Sequence, residues 1–181
     1  MKENQCQALL LDFVRRLKEG GSWCGETHIQ KSTYFLQEFA KVPLDLNYIF
    51  YKHGPYSFEL NDRLTALQGN GWVEVRSHPP YGPHRHASAT AAEYLKRFSK
   101  TLASFEAAMD FVVRKLASKN VAELERLSTA LYLRMEMPEA AEGARAGEMN
   151  RLKPHVSRQE ALEALREVES YERERIAIMS E

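Results

Sequence analysis

Five consecutive residues, His53-Gly54-Pro55-Tyr56-Ser57, leave this chain fewer backbone choices than any other stretch. Proline steers the residue before it away from the helical region, and a glycine in that place tolerates conformations closed to other residues. A helix therefore cannot run through Gly54-Pro55. Ser57 is well suited to cap a new helix, because its side-chain oxygen can accept from an unsatisfied N–H in the first turn. The segment predicts a junction between a strand and a helix.

The flanking patterns agree. Leu46, Tyr48, Ile49, Phe50 and Tyr51 lie in a stretch, Leu44 to Lys52, that alternates and is rich in β-branched and aromatic types, which predicts a short strand. After Ser57, Phe58, Leu60, Leu64 and Leu67 form an apolar stripe that Gly69-Asn70-Gly71 stops. Upstream, Leu9, Leu10, Phe13, Val14 and Leu17 predict a helix over 5–18 ended by Gly20-Gly21. Thr27 and Gln30, at capping-box spacing, open a second helix running to about Lys41. Trp72 to Arg76 and Arg85 to Ala89 predict a β-hairpin with a ten-residue loop around Pro79-Pro80-Tyr81-Gly82-Pro83. Thr90 with Glu93 opens a long helix to Leu116, Asn120 with Glu123 opens one ended by Pro138, and Ser157 with Glu160 caps a last, highly charged one. The acidic, alanine-rich stretch 139–148 reads as a linker.

This order, helix, helix, strand, helix, hairpin and then helices, predicts a mainly α fold with a small antiparallel β-sheet. The first part, 1–117, reads as a winged-helix-like domain with the helix from Ser57 in the recognition position, and 118–181 as a C-terminal helical extension. A chain of 181 residues suits one such domain with an extension. Cys6 and Cys24 are the only cysteines and have no CxxC spacing, which points to a reducing compartment and to inert thiols. The N-terminus has no apolar signal-peptide core and no run approaches the roughly 18 apolar residues of a membrane span, so a cytoplasmic protein without membrane contact is expected. Net charge is zero, with 13 basic against 10 acidic residues in 1–100 and 12 against 15 in 101–181. Dedicated nucleic-acid binders usually have a domain pI above about 9.

Two segments carry a resemblance. Gly25-Glu26-Thr27-His28-Ile29-Gln30-Lys31-Ser32-Thr33-Tyr34-Phe35-Leu36 and, about twenty residues later, Tyr51-Lys52-His53-Gly54-Pro55-Tyr56-Ser57 resemble the YwgA-like proteins of bacteria. More distantly they look like the Panacea or SocA-type antitoxin domain. Those groups share a QK-x-x-YFL helix and a glycine-proline turn followed by a short helix with a glycine stop, here Leu67 to Gly71, so the resemblance spans roughly 5–117. For the Panacea group it implies neutralisation of a toxin by direct protein contact; the YwgA-like group implies no activity. The Tyr56-Ser57 pair in the turn is closer to the YwgA-like form.

His28, Lys31 and Tyr34 recur about three residues apart on one helix, which makes them a candidate polar contact strip. The bland alternative puts Tyr34 in the core and His28 and Lys31 in solvent. His53 and Tyr56 lie at the edge of the turn, Gly54, Pro55 and Ser57 define it, and Arg63 and Arg85 are further candidate contact residues. His53 and Ser57 resemble parts of a hydrolase, but no third group completes a triad and the cap already explains the serine. His78, His84 and His86 lack a cysteine or carboxylate to complete a metal set. No metal, cofactor or catalytic residue is expected. The leading expectation is a non-enzymatic interaction module with a toxin-like or regulatory protein partner. The rival is a DNA-binding regulator using the Ser57 helix with Arg76 and Arg85. The charged last helix could pair two copies or pack back on the core.

Overall fold

The computed structural model describes residues 1–179, without the side chains of Tyr81 and of residues 176–179. It is mainly helical, with two small antiparallel sheets of two strands each. Helix α1 (Glu3–Glu19) buries Leu9, Leu10, Phe13, Val14 and Leu17, the stripe its periodicity predicts. Helix α2 (Glu26–Tyr34) runs into a π-helical turn, Phe35–Phe39, that places Phe35, Leu36 and Phe39 together in the core. The predicted capping box does not form at its start: the N-cap is Gly25, without a side-chain bond, and Gln30 is engaged elsewhere.

The glycine-proline turn is a hairpin and not a direct junction. Strand β1 (Ile49–Tyr51) turns through Lys52-His53 and pairs with β2 (Gly54–Tyr56), Tyr51 opposite Gly54 and Ile49 opposite Tyr56. Helix α3 (Phe58–Gly69) then begins at Ser57, whose hydroxyl accepts from the Leu60 N–H at 3.1 Å as expected of a cap. In the wing, β3 (Val73–His78) pairs with β4 (Tyr81–Ala87) almost to its tip, so only Pro79-Pro80 connects them instead of a ten-residue loop. The wing does not pair with β1. It is tied to the body by a bridge between Gly25 and His84 and by the Arg85 N–H on the Cys24 carbonyl, 2.9 Å.

The single long helix expected from Thr90 to Leu116 is three: α4 (Ala91–Lys96), α5 (Ser99–Ser104) and α6 (Glu106–Leu116). Non-helical backbone at Phe98 and Phe105 separates them. All three touch α1, and a straight rod of that length could not stay against it. Trp72 stacks on Tyr94 at 3.7 Å and fastens the wing base to α4.

Helix α7 (Val121–Glu136) starts with the predicted Asn120–Glu123 capping box. The linker expected at 139–148 is largely helix instead, within α8 (Glu142–Leu152), because Ala146 and Met149 share a face and are buried. Helix α9 (Arg158–Met179) begins at Ser157, bonded reciprocally with Glu160. Ala161, Ala164, Leu165, Val168 and Tyr171 of α9 and Leu124, Leu127, Ala130, Leu131 and Leu133 of α7 belong to the same buried cluster as α1 and α2. Packing is continuous across residue 117, with α7 lying against α2, the π turn and β2. A chain ending at 117 would expose the apolar faces that α7 covers, and transfer of that surface to water dominates stability. Such a chain is expected to lose cooperative urea unfolding and dispersed NMR amide signals; a sharp transition in the 1–117 chain would contradict the continuous core.

Candidate functional site

The QK pair of α2 holds the hairpin. Gln30 is buried, and its amide pairs with the backbone of Ser57 in both directions: the Ser57 N–H donates to Oε1 at 2.9 Å and Nε2 donates to the Ser57 carbonyl at 2.8 Å. Lys31, 2% exposed, donates from Nζ to the Pro55 carbonyl at 2.8 Å. These bonds satisfy backbone groups that the two-stranded sheet leaves unpaired, and a buried unpaired group costs about 1–3 kcal/mol. The two motifs are therefore the two halves of one clamp.

The opposite face of the turn lies on α7. Gly54 has φ +96°, a left-handed conformation, and a Cβ there would sit 3.1 Å from Thr129 Oγ1 and 3.6 Å from Ser128 Oγ. Ser128 and Thr129 turn their hydroxyls back onto the Glu125 carbonyl, which lets the turn approach the helix closely. Glu125 gathers the nearby charges: Lys153 Nζ, also 2% exposed, lies 3.2 Å from Oε2, and His53 Nδ1 lies 3.2 Å from Oε1. Burial pushes the Lys31 ammonium down to about 8; Glu125 and Glu26 oppose this and Lys153 adds to it.

Above the clamp lies a cavity of about 210 Å³. Glu26, Thr27, Gln30 and Lys31 line it from α2, and Tyr51, His53, Gly54, Tyr56 and Phe58 from the hairpin and the start of α3. The three aromatic rings touch edge to face or tilted, with centroids 5.0–5.9 Å apart. Tyr56 donates to Glu26 Oε1 at 2.7 Å, and burial together with that carboxylate pushes its hydroxyl up to about 12. Phe58 is 56% exposed, Ile49 50% and Tyr51 45%.

The structure redistributes the candidate residues. His28, Lys31 and Tyr34 are all buried, so they do not make a surface strip, and neither His28 nor Lys31 is solvated. Their spacing of three holds them near one face, but that face is covered by the hairpin and by α7. Tyr34 meets Tyr48 edge to face, 4.9 Å between centroids, and its hydroxyl donates to Met135 Sδ at 3.6 Å; burial lowers the His28 ring below its usual range. His53 and Tyr56 do lie at the cavity. Arg63 is held by Glu59 at 2.6 Å and by the Leu44 carbonyl at 3.0 Å. Arg85 is half-buried in β4, close enough to Tyr56 to act on its hydroxyl. Arg76 pairs with Glu74, and His86 bonds the same carboxylate at 3.1 Å. His84 lies against Trp23, 4.6 Å between centroids. Among the described residues no cluster of His, Cys, Asp or Glu could hold a metal ion. Cys6 and Cys24 are free and buried, and burial raises both thiols.

Glu125, Ser128, Thr129 and Lys153 escaped sequence reasoning because they lie beyond the motif region. The one signal was Ser128-Thr129, two small hydroxyl residues inside a leucine-rich helix, where close approach of another backbone is a common reason for them. A larger depression of about 680 Å³ lies between α1 and α4–α5. Its arginines are committed within the protein, Arg15 to Asp12 and Glu19, and Arg16 to Asp12, Glu106 and Asp110. The comparison with known proteins adds no relative: the chain matches no protein-family model and no curated sequence.

Two changes test the clamp. Gln30→Leu strands the buried Ser57 N–H and leaves the Ser57 carbonyl only the longer bond from the Asn61 N–H, 3.4 Å, and should cost about 1–3 kcal/mol, while Gly54→Ala should cost about 1–3 kcal/mol from strain at positive φ; urea denaturation reads both. The Lys31 ammonium adds a pH signature. Its folded value lies below the roughly 10.4 of an unfolded lysine, so between about 8 and 10 the unfolded chain binds more protons and stability rises with pH. Cys6 and Cys24 act in the opposite sense and are unchanged in Lys31→Met. Relative to that variant, the wild type should therefore gain stability from pH 8 to pH 10.

Proposed function

We propose that the protein is a non-enzymatic interaction module of the bacterial cytosol, antitoxin-like or adaptor-like, that docks a protein partner on the patch formed by Ile49, Tyr51, Tyr56 and Phe58. The observation that carries this reading is a set of mutually packed aromatic rings left in water on a clamped, rigid hairpin. Folded proteins rarely leave such a cluster exposed without use, and aromatic anchors on pre-ordered backbone are the residues that dominate protein interfaces. Rigidity matters because ordering a loop at the moment of binding subtracts from affinity.

The serine of the hydrolase reading and the arginines of the DNA-binding reading support the same conclusion. Ser57 is fully buried, its hydroxyl caps α3, and its backbone is paired with Gln30, so it does not meet solvent. Arg63 and Arg76 are paired with Glu59 and Glu74, so neither offers a free positive charge to a phosphate. No helix among the described residues is long and apolar enough to cross a membrane.

The test is capture from the native cell at physiological salt with wild type and with a Tyr51→Ser/Phe58→Ser variant. Both side chains are exposed, so the variant should keep the wild-type melting temperature. A stoichiometric partner on the wild type, weakened at least about thirtyfold by the variant as expected of paired hot-spot residues, is the expected outcome. Undiminished capture by the variant, or no stoichiometric protein partner, would overturn the reading.

A further inference from the structure

The cavity beside the aromatic patch contains an unusual group. Lys31 is buried, yet its ammonium has only one hydrogen-bond acceptor among the described residues, the Pro55 carbonyl. An ammonium has three donors. The neighbouring carboxylates are taken up by other groups: Glu26 accepts from the Tyr56 hydroxyl at 2.7 Å, and Glu125 is bonded by Lys153 and approached by His53. Neither makes an ion pair with Lys31. A buried cation in that condition carries a desolvation penalty that an incoming anion would relieve.

The cavity's size limits what the anion belongs to. About 210 Å³ is less than the 300 Å³ or more of a site for a drug-sized molecule and is in the range of one amino-acid side chain. Gln30 and Thr27 add polar wall, while Tyr51, Tyr56 and Phe58 add the apolar surface that would cover the methylenes of such a side chain. The cavity opens beside the patch already assigned to a protein partner.

We propose that this cavity receives an acidic side chain, glutamate or aspartate, of the partner protein, its carboxylate accepting from the Lys31 ammonium. The proposal rests on the interaction-module reading and supplies its specificity: the aromatic patch gives contact area and Lys31 selects for one negative charge. Charge complementarity argues for this occupant over a neutral or basic side chain, which would leave the ammonium buried and unpaired. The groups facing Lys31 are Glu26 on its own helix, Glu125 on α7 and Lys153 after α8, with Tyr56 and His53 on the cavity wall. None is an unpaired cation that would compete for the carboxylate.

The probe is a pair of blocked tripeptides, acetyl-Phe-Glu-Phe-amide and acetyl-Phe-Gln-Phe-amide, titrated into isotopically labelled full-length protein and followed by amide NMR. The glutamate peptide should bind at least about tenfold more tightly than its neutral isostere, in keeping with a charge-assisted hydrogen bond, and shift the amides of 26–31 and 53–58. Because the free ammonium is half deprotonated near pH 8, that preference should be close to full at pH 7 and shrink by up to about tenfold per pH unit above 8. In Lys31→Met both the preference and its pH dependence should vanish. Equal binding of the two peptides, or a preference that survives in Lys31→Met, would overturn the proposal. So would tighter binding of acetyl-Phe-Phe with a free C-terminal carboxylate, which would assign the cavity to chain ends. The Glu/Gln comparison uses the wild-type chain alone and stands even if Lys31→Met does not fold. Partner capture that needs Tyr51 and Phe58 but is indifferent to Lys31→Met would leave the interaction module intact and remove only this inference.

Discussion

Gln30 makes two hydrogen bonds to one buried residue, Ser57, and the placing of the hairpin and of the start of α3 depends on them. A two-stranded hairpin is marginal in water by itself. Here β2 is held from below by the side-chain amide of Gln30 on Ser57 and by the Lys31 ammonium on Pro55, and from behind by α7, which Gly54 together with Ser128 and Thr129 allows to come close. Ser57 closes the hairpin and caps α3 with the same few atoms. The positions of Tyr51, Tyr56 and Phe58 follow from that fastening.

The clamp also accounts for the electrostatics around it. Using Lys31 to hold a backbone carbonyl takes its ammonium almost out of bulk water, on the wall of the cavity, with Glu125 already engaged by Lys153. A methionine in that position would avoid desolvating a charge but would leave the Pro55 carbonyl without its donor. The clamp thus retains a charge beside an open cavity, so the residue that holds the hairpin is also the one proposed to meet a partner's carboxylate. Gln30 uses both ends of its amide on Ser57.

Much of the fold was legible from local pattern. The stripe of α1, the cap at Ser57, the Asn120–Glu123 and Ser157–Glu160 boxes and the mainly helical character with a little antiparallel β all follow from short-range periodicity and capping chemistry. The errors arose where local signals were overruled by packing. Thr27–Gln30 has capping-box spacing, yet Gln30 found better partners 27 residues away. The stripe from Thr90 to Leu116 is periodic throughout, but following the surface of α1 requires breaks at Phe98 and Phe105. The alanine-rich stretch resembled a linker because small side chains carry little hydrophobic signal; the same smallness lets Ala146 pack at a helix contact.

By itself the sequence determined which residues punctuate the chain: where glycine and proline forbid a helix, where serine or asparagine starts one, and that one face of each helix is apolar. These are local properties of φ, ψ and side-chain chemistry. It also marked the QK helix and the glycine-proline turn as the segments that matter. Only the tertiary structure decided how they meet. Whether a lysine is solvated or buried depends on what is laid over it, and α7 and the hairpin, distant in sequence, cover Lys31. The carboxylate facing it, Glu125, and the second buried ammonium, Lys153, come from parts of the chain whose local pattern says only that they are helical or charged. Hydrophobic burial brought them together, and burial is a property of the assembled surface and not of any segment.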